Sequence, residues 1–294
     1  MTAKNLIRWA KTLFTPVAIT FLGYFCWEAR DTLGVLLRQA SWPMLCVAAF
    51  VWGLLHLLSP LMAVAVLNGS GSTVSWRQAF ATHASRLPAR YVPGGVWHTV
   101  GRVMDYHEQG VKPRHLTAFV VLENGLAAAF TLAVGGVIVM ALRGGDTVGA
   151  IAGLAFTAAL IGLVAMYFIV NRKVLQKPDA LSASSYLSSL FIVATFWIGA
   201  TVAFLIYLHA FPAATGDYSN VEIGGIYLFS WGVGFVAVFA PQGIGVFELV
   251  ASELMRGPIG LMGLVALIAG FRVIVGLADL AVWSLYQLVS RYHD

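Results

Sequence analysis

Charge is what this sequence has least of. Only 11% of its 294 residues are Asp, Glu, Lys or Arg, while 59% are hydrophobic. A soluble globular chain carries roughly 25% charged residues. With so few here, and a mean hydropathy of +0.82, a water-facing surface is excluded and an integral membrane protein is indicated. Cysteine is scarce too. Cys26 and Cys46 lie within or beside apolar segments, which argues against a disulfide framework or a thiolate metal site; they read as small apolar fillers. The histidines form no HExxH or HxxxH, and no GxSxG occurs. "NGSGS" at Asn68–Ser72 lacks the Lys of a phosphate-binding loop and reads as a turn. No cofactor, no metal and no nucleotide drive are expected. The net charge of +5 points to cytoplasmic anchoring rather than to nucleic acid.

What is present is a series of apolar runs near the roughly 20 residues that a bilayer requires. They are Leu13–Glu28, Met44–Leu67 (interrupted by His56 and Pro60), Leu116–Leu142, Val148–Val170, Leu187–Phe211 and Ile223–Ala240. A final region, Ile259–Val289, is long enough for one tilted span or a broken pair. The N-terminal "MTAKNLIRWAKTLF" has the basic-then-apolar pattern of a signal peptide. The "FCWEARD" that follows is too bulky and charged for cleavage, so a retained first span is expected. The fold class read from this pattern is an all-α polytopic membrane protein of six to eight helices, forming a single membrane domain over residues 1–294.

Two regions fit neither span nor loop: Ser75–Gly110, containing "RYVPGGVWHTVGR", and Pro241–Met255, "PQGIGVFELVASELM". Each is too polar for a lipid-facing helix, too apolar for a linker, and carries Pro and Gly where a helix must break. Broken backbone is tolerated at membrane depth where protein or a wet cavity surrounds it. Two re-entrant segments are therefore expected. Pro93, Gly94, Gly95 and Trp97 would build the first, with Trp97 wedged against its neighbours. Pro241, Gly243 and Gly245 would build the second. The two share Pro-x-Gly followed by a β-branched residue, a weak internal repeat of the kind found in transporters.

Lysine and arginine set the orientation. Lys4, Arg8, Lys11, Arg77, Arg86, Arg90, Arg102, Lys112, Arg114, Arg172, Lys173 and Lys177 fall on one set of alternating connections. Arg30, Arg38 and Arg143 fall on the other. Twelve against three puts the N-terminus in the cytoplasm and has both broken regions entered from that side.

Ionisable residues inside spans cost on the order of 3 kcal/mol each unless paired or hydrated. Glu123, Glu248, Arg272 and Asp279 stand out, with Glu253 as a fifth. Arg272 and Asp279 share a helix face but sit about two turns apart, so their partners must come from other elements. Glu248 could meet Arg272; Glu123 could meet Arg102 or Arg90. Their concentration beside the broken segments suggests a polar cavity there. Its arginines would suit phosphate, which guanidinium grips through a planar fork. Backbone N–H groups after Gly94–Gly95 and Gly243–Gly245 would add to that grip. His56 reads as a helix packer, and His98 has no assigned role. "GGIYLFSWGVG" reads as small-residue helix packing. Trp27, Trp42 and Tyr186 read as interfacial aromatics.

The stretch "YVPGGVWHTVGRVMDYHEQGVKPRHLTAFVVLENGLAAAF", then "APQGIGVFELVASELM" and "ALIAGFRVIVGL", resembles the flippase-like membrane domain of lysylphosphatidylglycerol synthases. The resemblance runs from about Arg86 to Leu277. It aligns Pro93, Gly94, Arg102, Gly110 and Glu123 with one family motif, Pro241, Gly243, Gly245 and Glu248 with another, and Arg272 with a later helix Arg. Gln242, Phe247 and Asn124 depart from the family pattern. The resemblance implies translocation of an anionic lipid, a phospholipid or polyprenyl-phosphate-linked sugar, across the cytoplasmic membrane in cell-envelope biogenesis. Arg90, Arg102, Glu123, Glu248 and Arg272 would hold the head group, and a cell-envelope glycosyltransferase would be a partner. The sequence ends at Asp294 without a synthase domain, so aminoacyl transfer is not expected. The alternatives are a membrane-embedded enzyme on a lipid-linked substrate, or a non-catalytic partner of a glycosyltransferase.

Overall fold

A computed structural model of the chain describes residues 20–92, 96–237, 240–256 and 259–291. Every regular element among them is helical. After a helical stretch at residues 20–28 come α1 (Arg30–Gln39), α2 (Trp42–Leu55), α3 (Ser59–Gly69), α4 (Trp76–Ser85) and α5 (Trp97–Glu108). Then follow α6 (Pro113–Arg143), α7 (Thr147–Ile169), α8 (Ala183–His209), α9 (Asn220–Val236), α10 (Val246–Met255) and α11 (Gly260–Arg291).

Five helical stretches are long and apolar enough to cross a membrane: Trp42–Gly69, Pro113–Arg143, Thr147–Leu175, Ala183–His209 and Gly260–Arg291. They match the sequence-read spans within a few residues. The final apolar region is one continuous helix, α11, of 32 residues; at ~1.5 Å per residue it measures about 48 Å. The outer surface is apolar, with Leu154, Phe191 and Ile161 well exposed, as lipid contact demands. Of the expected first span, the part before residue 20 lies outside the described residues.

The centre is α9, whose Ile223 to Ser230 are continuously buried. A capping box starts it: Ser219 Oγ accepts from the Glu222 N–H while Glu222 accepts from the Ser219 N–H. It lies against α6, α8 and α10. In lipid, packing rather than water exclusion drives such contacts, so small residues set how closely helices approach. A Cβ placed on Gly135 would sit 2.2 Å from the backbone N of Phe229, and one on Gly225 would sit 2.2 Å from Ile138. The small-residue reading of "GGIYLFSWGVG" is thus what the α6–α9 crossing uses. Helix α7 packs on the other side of α6 and is the outermost, with 11% of its apolar window buried.

Three breaks position the polar residues. Between α2 and α3, Pro60 has no N–H to give the carbonyl of His56, and the helix unwinds over residues 56–58. The turn after α3 closes on Asn68, which exchanges hydrogen bonds with Val74 at 3.0 and 2.7 Å. The region Ser75–Gly110 folds as α4, a 3-10 turn Leu87–Tyr91 and α5. The region Pro241–Met255 folds as a 3-10 turn and α10, with Gln242, Gly243 and Gly245 all at positive φ (55°, 64° and 83°). At Gly243 a side chain would also meet Gly234 Cα at 3.0 Å, so both conformation and space require glycine there.

Tyr186 faces the interior of the bundle rather than its outer surface. It is 7% exposed, and its hydroxyl donates to the Leu163 carbonyl inside the bundle. Trp27 and Trp42, at 68% and 62% exposure, do lie on the surface.

Candidate functional site

The two broken regions each place a short helix against a long one through an arginine–carboxylate pair. Arg102 on α5 donates to Glu123 on α6 through both terminal nitrogens, at 2.8 and 2.6 Å. Its guanidinium is buried and stands 5.2 Å over the Phe119 ring. On the other side Glu248 of α10, fully buried, accepts from Arg272 Nε of α11. Arg272 also donates to the Gln242 carbonyl at 3.2 Å, and its guanidinium lies 5.1 Å from Trp231 and 5.5 Å from Phe247. Phe247 forms one wall of that aromatic seat. The polarity is swapped between the halves: arginine on the short helix in one, on the long helix in the other.

Arg90 takes a different partner from the one expected. It reaches Asp279 at 3.0 Å rather than Glu123. Asp279 is the most heavily bonded carboxylate here. Its Oδ1 accepts from Trp52 Nε1 (3.0 Å) and His56 Nε2 (2.8 Å), and its Oδ2 accepts from Arg90 and the Tyr91 hydroxyl (2.8 Å). The chain continues through His56, whose Nδ1 meets His83 Nε2 at 2.9 Å. The His56 ring reaches two elements because it sits where Pro60 opens the α2–α3 helix. The two broken regions also touch directly: Gln242 Nε2 donates to the Arg90 carbonyl.

These residues surround a cavity of about 240 Å³. Arg90, His98, Arg102, Glu123 and Gln242 lie on its polar side, and Val193, Phe196 and Trp197 on its apolar side. The convergence expected from sequence is partial. Arg102, Glu123 and Arg90 line the cavity, whereas Glu248 and Arg272 stand one layer back, behind Trp231 and Gln242. A second, apolar hollow of about 530 Å³ lies between α2, α4 and α11, lined by Phe50, Leu54, Phe80, Val282 and Leu285. His56 borders both.

Several expectations are corrected. Glu253 is exposed on α10, five residues from Glu248 and off its face, so it joins no pair in the site. Trp97 stands half-exposed at the start of α5. The Gly245 N–H, expected to face an anion, donates to Glu248 at 2.7 Å instead. Pro93, Gly94 and Gly95 lie outside the described residues, and Pro241 opens the second 3-10 turn. Trp52, His56, His83 and Tyr91 were missed as site residues. Each is an ordinary residue in its own stretch, and no spacing links positions 27 to 227 residues apart.

Among the described residues, no group of three or more His, Cys, Asp or Glu could hold a metal ion. No family model matches the chain, and no curated protein matches it as a relative.

Proposed function

We propose that the chain is a lipid translocator that moves an anionic amphipathic lipid, a phospholipid or polyprenyl-phosphate-linked sugar, between the leaflets of the cytoplasmic membrane. The observation that carries this reading is the pair of spaces meeting at His56. One is polar and lined by Arg90, Arg102 and Glu123; the other is apolar and lined by α2, α4 and α11. Together they suit a ligand with a charged head and a hydrocarbon chain. The motif order that resembles the flippase-like domain of lysylphosphatidylglycerol synthases points the same way. The lysine and arginine distribution favours an N-terminus in the cytoplasm, and a cell-envelope glycosyltransferase is the partner this reading favours.

The test uses purified protein in liposomes carrying head-group-labelled phosphatidylglycerol and, separately, a labelled polyprenyl phosphate. Accelerated leaflet exchange, lost in Arg102→Ala and Arg272→Ala variants that still fold, is the expected result. No acceleration with any of these lipids sinks the reading.

One observation favours an enzyme instead. Ser72 Oγ meets His115 Nδ1 at 2.7 Å, and His115 Nε2 meets Asp179 Oδ2 at 2.8 Å, a nucleophile–base–acid alignment. Asp179 is shared with Arg114 and Lys112, which favours a clamp over a catalytic acid. Chemically altered lipid, dependent on Ser72, would reverse that preference.

A further inference from the structure

Four buried nitrogens beside the polar cavity lack hydrogen-bond partners: His83 Nδ1, His98 Nε2, Arg102 Nε and Trp231 Nε1. All four residues line the cavity. His98 and Arg102 are four apart on α5 and share a face. The His98 ring packs edge-on against His83 with centroids 5.4 Å apart. A buried polar atom left unpaired is costly, so four together call for an explanation.

Hydrogen-bond polarity fixes what His83 offers. Asp279, as a carboxylate, only accepts. A neutral His56 ring must therefore carry its proton on Nε2 to donate to Oδ1, which leaves a lone pair on His56 Nδ1. His83 must then donate from Nε2, so in the neutral ring its Nδ1 is an unprotonated base with no partner. Asp279, His56 and His83 form an ordered array ending in a basic nitrogen at the cavity.

The charges around it cancel. Arg90, Arg102 and Arg272 are matched by Asp279, Glu123 and Glu248. The groups facing His83 are His56 at the α2–α3 break, Arg90 and Tyr91 on the 3-10 turn, and His98 and Arg102 on α5. Asp279 of α11 stands behind His56, and Glu123 of α6 behind Arg102. An anion entering this space meets no surplus positive charge, and an uncompensated buried ion costs several kcal/mol. The imidazoles of His56, His83 and His98 are the lining groups that can gain a charge; His56 is tied to Asp279 and His83 at its two nitrogens, and His83 has that anchored array behind it.

We propose that His83 is a proton-loading site. Its Nδ1 lone pair takes one proton from a hydronium ion of the bulk solvent, forming the N–H bond and leaving water as one hydronium O–H bond breaks, when an anionic head group enters the cavity, and returns it as the group leaves. No other bond changes. The imidazolium keeps its Nε2–H on His56 and turns a new Nδ1–H toward the anion, beside Arg102 Nε. This rests on the lipid reading above and adds its coupling: each anion that occupies the cavity does so with a proton.

The experiment uses the full chain in detergent, titrated with dioctanoyl phosphatidylglycerol and, as a neutral control, dioctanoylglycerol. Binding is read from tryptophan fluorescence, since Trp52, Trp197 and Trp231 line the cavity. Proton uptake is read with a pH dye in weak buffer. Affinity for the anionic lipid should fall about tenfold per pH unit between about pH 5 and 8, with about one proton taken up per lipid bound. In His83→Gln, whose amide still donates to His56 but cannot load a proton, binding should lose both the slope and the uptake. Binding without proton uptake in the unaltered chain overturns the proposal whether or not that variant folds, and leaves the lipid reading standing. A slope retained in folded His83→Gln overturns it too. No binding of the anionic lipid at any pH overturns both.

Discussion

Arg102 and Glu123 hold each other through two parallel hydrogen bonds between α5 and α6, with the guanidinium 5% exposed and the carboxylate 24% exposed. Removing either partner strands the other. Arg102→Ala should destabilise the protein by about 3 kcal/mol, the low end for a broken buried pair because Glu123 keeps some access to solvent. Arg102→Lys retains the charge but not the fork and should cost about 1.5 kcal/mol. Denaturant unfolding in mild detergent measures both. Equal losses would mean that charge, not geometry, holds the pair.

Helix α6 should be intolerant at one glycine on its α9 side and forgiving at another on its α7 side. At Gly135 a methyl group would meet the Phe229 backbone at 2.2 Å, which cannot turn aside. At Gly125 it would meet the end of Met166 at 2.6 Å, which can. Gly135→Ala should lose about 2 kcal/mol or more, and Gly125→Ala well under half of that, by thermal unfolding of the two variants side by side. Comparable losses would overturn the close backbone contact.

Acid should loosen the clamp at Asp179 ahead of the bundle. The hydrogen bond from His115 holds this carboxyl below its ordinary range, with Arg114 and Lys112 adding to it. A depressed carboxyl contributes stability above its unfolded value and loses it as pH falls through the folded one, here below about pH 4. Amide exchange around residues 70–74 and 176–181 should therefore accelerate in acid, and Asp179→Asn should show fast exchange at neutral pH with a flat acid profile. An unchanged acid profile in that variant would assign the sensitivity elsewhere. Ser72→Ala, which removes one end of the clamp, should raise exchange in the same loops and leave lipid chemistry untouched.

The apolar framework was legible because helices in lipid need long apolar runs, and five of those predicted appear within a few residues. Pairing was legible where choices were few. Glu248 with Arg272 and Glu123 with Arg102 follow from the cost of lone charges in apolar helices. Asp279 shows where that reasoning stops. Its charge was visible, but three of its four donors, Trp52, His56 and Tyr91, carry no fixed charge and come from α2, the break after it and the 3-10 turn, and only the fold assembles them with Arg90. Tyr186 shows a related limit: its place near a span end does not reveal that it is buried with its hydroxyl on the Leu163 carbonyl. The last helix was undecided because length alone does not distinguish one oblique crossing from two.

The bond from the Gln242 side chain to the Arg90 carbonyl joins the two broken regions amide to backbone, without a formal charge. High ionic strength weakens attractions between exposed charges, and a neutral amide has none to weaken. The link between the two broken regions is therefore one that ionic strength leaves unchanged.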